Sequence, residues 1–255
     1  MNWLQLIERR VSVRQYEPDV DEATLAQVRK ICEHAKSYNS SALKYFLLPG
    51  SEVHRRQKSI GPIGRVLAPW YIAAVAAGDS EALFNLGYSS QRVILELTAL
   101  DLGTCWLGAL FDREALGDSL GLGKGHAVRA LIAWGRGRKV PGTVDKQSRR
   151  LPSEKIAFFA GDRDTRYPWR TVLEAVRWAP SAINRQPWRL WFGAGAVHLF
   201  SKPGRLARSF APIDMGIALC HLELACKQLA IPGSIAQTEH PQRKGWEYWV
   251  SYIFD

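Results

Sequence analysis

Apolar side chains recur along the chain in two rhythms, a helical spacing of about 3.6 residues and short continuous runs, which lay out alternating helices and strands. Leu25, Val28, Ile31 and Cys32 share one face of an amphipathic helix predicted over 22–36. A short apolar strand over 45–48 follows, and 69–77 is a continuous apolar run of strand length. A long helix over 87–102 carries Val93, Ile94, Leu97 and Leu100, and Gly103 stands where a helix C-cap is expected. The segment 105–108, a small helix opening near Asp112 and a strand over 128–134 complete this stretch.

The second half runs in the same order. A helix over 169–179 leads to strands at 189–192 and 197–200, a helix over 215–229 and a last strand over 248–254. A shift of about 144 residues sets Ala35-Lys36-Ser37 on Ala179-Pro180-Ser181 and Tyr45-Phe46 on Arg189-Leu190. A shift of about 129 sets Gly87 on Gly216, Leu95 on Leu224 and Leu100 on Leu229. The repeat is diverged and its second copy is shorter, which predicts two lobes, 1–150 and 151–255, although any two α+β halves could share this order of elements.

Composition narrows the class. With 255 residues and 47% apolar content the chain can fill a sizeable core, which excludes a disordered or fibrous protein. No run of 18 apolar residues is free of charge and the start has no signal-peptide pattern, so a cytoplasmic protein off the membrane is expected. Cys32, Cys105, Cys220 and Cys226 make no CxxC pair and read as reduced core residues. The net charge of +10 favours an anionic partner. The densest basic run, 136–150, is Gly-rich, broken by Pro141 and free of interleaved aromatics, so it reads as a loop and nucleic-acid binding is disfavoured. Gly121-Leu122-Gly123-Lys124-Gly125 lacks phosphate-loop spacing, no Gly-x-Gly-x-x-Gly follows a strand, and the six histidines show no metal spacing.

Two segments carry candidate chemistry. Arg9-Arg10-Val11-Ser12-Val13-Arg14 has the alternation of an extended strand, so Arg10, Ser12 and Arg14 are expected on one face and Val11 and Val13 in the core. Two guanidinium forks and a hydroxyl suit an anion, although a charged strand edge gives the same pattern. In Trp178-Ala179-Pro180-Ser181-Ala182-Ile183-Asn184-Arg185-Gln186-Pro187-Trp188, Pro180 ends a helix and Pro187 keeps the chain extended into a strand. The backbone amides and the side chains of Ser181, Asn184 and Gln186 between them suit the polar edge of a heterocycle, although the same loop also reads as an ordinary helix-to-strand turn.

Taken together, the two segments resemble the Arg-Arg-x-Ser-x-Arg opening and the Ala-Pro-Ser-x-x-Asn-x-Gln-Pro-Trp loop of the nitroreductase family. Leu100 to Gly108 is similar to that family's helix end and the turn under its flavin ring. The resemblance implies an α+β, nitroreductase-like fold of two tandem lobes with central mixed or antiparallel sheets flanked by helices, mimicking a dimer in one chain. It also implies FMN, with NADH or NADPH as electron donor and a small acceptor such as a nitroaromatic or quinone, reduced by ping-pong hydride transfer.

The resemblance extends to individual residues. With Arg9 as the opening residue of the motif, Arg10 and Ser12 would hold the phosphate and ribityl chain, and Arg14 would sit near the pyrimidine edge. Pro180, Ser181, Ala182, Asn184 and Gln186 would approach from the second lobe, and Leu107-Gly108 would offer a backbone donor. Arg149 and Arg150 resemble late phosphate ligands, and which of them faces the phosphate is left open. The order of the motifs departs from the family's. The first half has Ser37 where the loop is due but neither proline, and the second half has Asp162 and Asp164 where the Arg-rich opening is due. One complete cofactor site per chain and a monomer are therefore expected. A flavin-binding module of this fold without redox turnover remains the alternative.

Overall fold

The computed structural model describes residues 1–56, 66–109, 111–138, 149–160, 168–202 and 209–254. The chain forms two compact units, Arg9–Thr143 and a second built from Met1–Glu8 with Val144–Asp255.

In the first unit, strands β1 (Leu43–Pro49), β2 (Trp70–Ala76), β3 (Leu102–Leu107) and β4 (Ala127–Arg136) form one sheet in the order β1-β2-β4-β3. All its pairings are antiparallel. The apolar run in β2 is continuous because both faces of the strand are covered. Tyr71, Ala73 and Val75 belong to one core with Val53 and Leu116, and Ile72 to another with Leu25, Val28, Val93 and Leu97. Helices α2 (Glu22–Glu33) and α4 (Ser80–Ala99) supply the second core, and α3 (Gly50–Arg56) and α5 (Arg113–Ser119) contribute to the first. Asp21, Asp79 and Asp112 cap α2, α4 and α5 by accepting backbone N–H bonds.

The expected cap at Gly103 is not where the long helix stops. It starts at Ser80 and ends at Ala99, and Asp101 takes the left-handed conformation with φ 57°. Aspartate tolerates that conformation better than most residues, so the helix ends earlier and Gly103 lies inside β3. In the strand this glycine makes room for a crossing segment, because a Cβ at Gly103 would fall 2.8 Å from the Cβ of Val13.

The second unit repeats the plan. Strands β6 (Trp188–Phe192), β7 (Ala196–Ser201), β8 (Ser234–Ala236) and β9 (Glu247–Ile253) lie in the order β6-β7-β9-β8, again antiparallel, and β5 (Ala157–Phe159) adds a parallel edge strand to β6. Each copy also has one register slip at the matching strand pair, between Ala74 and Val75 where β2 meets β4 and between Leu199 and Phe200 where β7 meets β9. Helices α7 (Trp169–Arg177) and α8 (Ala211–Gln228) stand where α2 and α4 stand in the first copy. Among the described residues α3 and α5 have no counterpart, which is why the second copy is shorter. The short helix α6 (Ser153–Ile156) precedes β5.

Helix α8 is apolar nearly all round and correspondingly buried, with Asp214 and His221 among its buried polar side chains. Helix α1 (Trp3–Arg9) begins in this unit, where the Trp3 N–H donates to Gln228 Oε1 at 3.0 Å. All four cysteines are free and buried, as expected. Among the described residues no helix is long and apolar enough to cross a membrane.

Candidate functional site

The predicted site residues fall into two groups, one in each unit. In the first, residues 12–16 make isolated bridges rather than a strand: Ser12 with Thr104, Gln15 with Leu67 and Tyr16 with Gly137. Val13 N–H donates to the Thr104 carbonyl at 2.9 Å, which ties the segment to β3. The expected alternation therefore fails. Arg10 is only 4% exposed, Val11 is 50% exposed and Arg14 is exposed, while Val13 does pack into the core. Without a continuous ladder no pleat fixes side-chain direction between the bridged residues.

Arg10 and Arg14 nonetheless act on the same place. Burial raises the Cys105 thiol above its ordinary range, and the positive charges of Arg14 and Arg10 pull it the other way. Cys105 lies in β3, three residues before Gly108. Leu107 is buried, and the Gly108 carbonyl accepts from the Arg113 guanidinium. Arg9 pairs instead with Asp101 at the surface. One cleft of this unit, about 470 Å³, is lined by Tyr16, Pro49, His54, Trp70 and Arg138, and none of the predicted residues lines it.

In the second unit the loop 179–187 joins α7 to β6, bounded by its prolines as expected. Its residues are tightly bonded to the segment 149–151. Gln186 is 3% exposed; its Nε2 donates to the carbonyls of Arg149 and Asn184, both at 3.2 Å, and its Oε1 accepts from Leu151 N–H at 2.8 Å. Asn184 donates to the Arg149 carbonyl at 2.7 Å and accepts from Arg150 Nη1 at 3.0 Å. Arg150 also donates to the carbonyls of Ala179 and Trp178, at 2.7 and 3.2 Å. Burial, and then the charge of Arg177, lowers the Arg150 guanidinium to about 10. The side-chain amides that the sequence suggested for a ligand are thus committed to shaping the loop. Arg150 is a clasp within it, whereas Arg149 is exposed.

The loop is also strained. Ile183, Asn184 and Gln186 have φ of 46°, 56° and 50°, and Ile183, β-branched and 65% exposed, is especially costly there. Ser181 Oγ accepts from Gln186 N–H at 2.9 Å, and Ala182 N–H donates to Asp214 Oδ1 at 3.0 Å. Sequence reasoning missed Asp214; the signal was an acid in the apolar run of α8, at the position the 129-residue shift matches to Asn85. Trp188 is fully buried in the core. Asp162 and Asp164, and most of the basic run, lie outside the described residues. Among the described residues no group of three or more His, Cys, Asp or Glu could hold a metal ion.

Two sheets of one strand order, joined in one chain and flanked by helices, define an α+β protein of the nitroreductase-like fold. Residues 2–226 match the family described as "Putative TM nitroreductase", and the chain belongs to that family. A putative nitroreductase from Thermotoga maritima MSB8 is 24% identical, with a TM-score of 0.67 over 100% of this chain and 94% of its own. A nitroreductase family protein from Clostridium difficile 630 is 17% identical, with a TM-score of 0.51 over 64% of this chain and 100% of its own. An FMN-dependent nitroreductase from Clostridium difficile R20291 is 16% identical, with a TM-score of 0.50 over 60% of this chain and 96% of its own. At these identities the likeness is one of fold. A comparison with curated proteins finds no match.

Proposed function

We propose that this chain is an FMN-dependent oxidoreductase that takes electrons from NADH or NADPH and passes them to a small acceptor, such as a nitroaromatic or a quinone, in a ping-pong sequence. Membership of the nitroreductase family supports the reading. The observation that carries it is that Ser12 and Val13 are tied to Thr104 of β3, which sets the Arg-rich segment beside the strand that leads to Leu107-Gly108. Guanidinium groups on such a segment suit a phosphate, and a bridged Ser12 suits a neighbouring hydroxyl.

Bound FMN would supply the redox chemistry, so no acid or nucleophile is required of the protein. Arg10 and Ser12 would bind phosphate and ribityl oxygens, and Arg14 would place positive charge toward the ring's pyrimidine side. Gly108 would offer its backbone N–H without a side chain to obstruct a second ring. In the second unit, the backbone of Pro180 to Asn184 and the Ser181 hydroxyl are the groups the family resemblance assigns to the flavin, with Gln186 holding the loop's shape. Of the late arginines, Arg149 is the one with its side chain exposed, and it is our choice for the phosphate. We also take the two lobes as an internal counterpart of the family's dimer, with one FMN per chain, in a monomeric cytoplasmic protein.

The test is steady-state kinetics of the FMN-reconstituted protein with NADH and NADPH against a panel of quinones and nitroaromatics. Parallel double-reciprocal lines are expected. Failure to oxidise either nucleotide with any acceptor class would leave at most a flavin-binding module.

A further inference from the structure

One hydrogen bond occurs twice in this chain, once per copy of the repeat. In the second unit Ala182 N–H donates to Asp214 Oδ1 at 3.0 Å; in the first, Tyr38 N–H donates to Asn85 Oδ1 at 2.7 Å. The shift of about 144 sets Ala182 on Tyr38, and the shift of about 129 sets Asp214 on Asn85. Both acceptors are buried, on the corresponding helices α8 and α4. They differ in their second polar atom. Asn85 Nδ2 donates to the Ser41 carbonyl at 3.0 Å and so closes its turn from both sides. Asp214 Oδ2 is buried with no hydrogen-bond partner.

We propose that Asp214 is the positioning residue of the 180–187 loop, holding it in its ligand-binding shape while the carboxyl is neutral and releasing it on ionisation. The ligand-binding part of this proposal rests on the reading that the loop contacts FMN. A neutral carboxyl mimics the uncharged amide that the first copy keeps at this position. An ionised one is a buried charge with a single hydrogen bond, an arrangement that proteins avoid by admitting water or shifting the titration. Burial raises Asp214 to about 7, opposed by the Ala182 N–H.

Within its own unit α7, β6 and β7 pack on α8. Their ionisable groups are engaged elsewhere: Glu174 with Arg177 at 2.9 Å, Arg189 with the carbonyls of Gln186 and Trp188, and His198 with Ser251 at 2.7 Å. Arg170, on α7, is exposed, and on α8 itself His221 bonds the Ala175 carbonyl. In the loop, Arg150 is taken up by carbonyls and Asn184, and Arg185 is exposed. The loop's left-handed residues persist only while the surroundings hold them, so freeing the Ala182 anchor lets them relax.

The test uses the full chain and two readouts. Hydrogen exchange at the Ala182 amide, corrected for intrinsic pH dependence, reads the loop without any ligand, and the Tyr38 amide serves as internal control. Protection of Ala182 should fall roughly tenfold between about pH 6 and about pH 8.5 in the wild type, and stay level in D214N, which restores the amide of the first copy. D214A should lose protection throughout. FMN affinity, read by quenching of flavin fluorescence, should weaken with rising pH in the wild type but not in D214N.

Wild-type protection that ignores pH, or a D214N profile that follows the wild type, would overturn the proposal. If Ala182 behaves as expected and FMN binds to no variant, the flavin reading fails and the positioning role stands. If FMN binds wild type and D214A equally at every pH, the loop's link to the cofactor fails.

Discussion

Asp214 ties stability to pH in a direction opposite to most surface carboxylates. Its folded value, about 7, lies above the ordinary 3.8, so the stability it contributes is fully present below about pH 4 and is lost as pH rises through 7. Asn has no charge to bury. D214N should therefore gain stability over the wild type as pH rises from about 4 to about 8, by up to about 4 kcal/mol, in denaturant melts at each pH. A pH-independent difference would refute the assignment. Arg150 makes the converse case, since its guanidinium satisfies two carbonyls and an amide oxygen. Arg150→Leu should cost about 2 kcal/mol in urea midpoint through the acceptors left unpaired, and Arg149→Leu close to nothing. Arg10→Ala should weaken FMN at least about tenfold by removing a charge-assisted partner, an effect measurable by the same fluorescence quenching.

Among elements, β3 and the segment crossing it are the most exacting pair. Gly103 admits Val13 at a distance no Cβ would allow, and Val13 is too short and branched to swing aside. Gly103→Ala should lower stability by about 1–3 kcal/mol and also weaken FMN, because the displaced segment carries Arg10 to Arg14. Thermal melts and FMN titration of the one variant check both; a stability loss with unchanged affinity would separate the segment from the cofactor.

The larger helices and strands were legible in the sequence because burial imposes periodicity, as in the apolar run of β2, whereas α3, β3, β5 and β8 are too short to show a period of their own. The end of the long helix was not, because Asp101 assumed the left-handed position that a glycine usually takes. The Arg-rich segment was legible in composition but not in orientation, since isolated bridges impose no alternation and left Val11 outside. The loop's residue types were legible and their partners were not. The bonds of Asn184 and Gln186 run to residues about 35 positions away in sequence, which no local pattern encodes.

Across the molecule, two units share one strand order, a register slip in the sheet and one anchoring hydrogen bond, while the two motifs that the sequence singles out are divided between them. The Arg-rich opening belongs to the first copy and the proline-bounded loop to the second. We take the two copies as the counterpart of the family's two subunits, in a monomer. Light scattering should return a single species near 28.6 kDa, and a mass twice that would point to assembly between chains. The decisive experiment is a stoichiometric titration of the purified chain with FMN, followed by absorbance and by quenching of flavin fluorescence. Saturation is expected at one FMN per chain, weakened both by Arg10→Ala and by D214A. Saturation at two per chain, or none at any concentration, would refute one flavin site per chain.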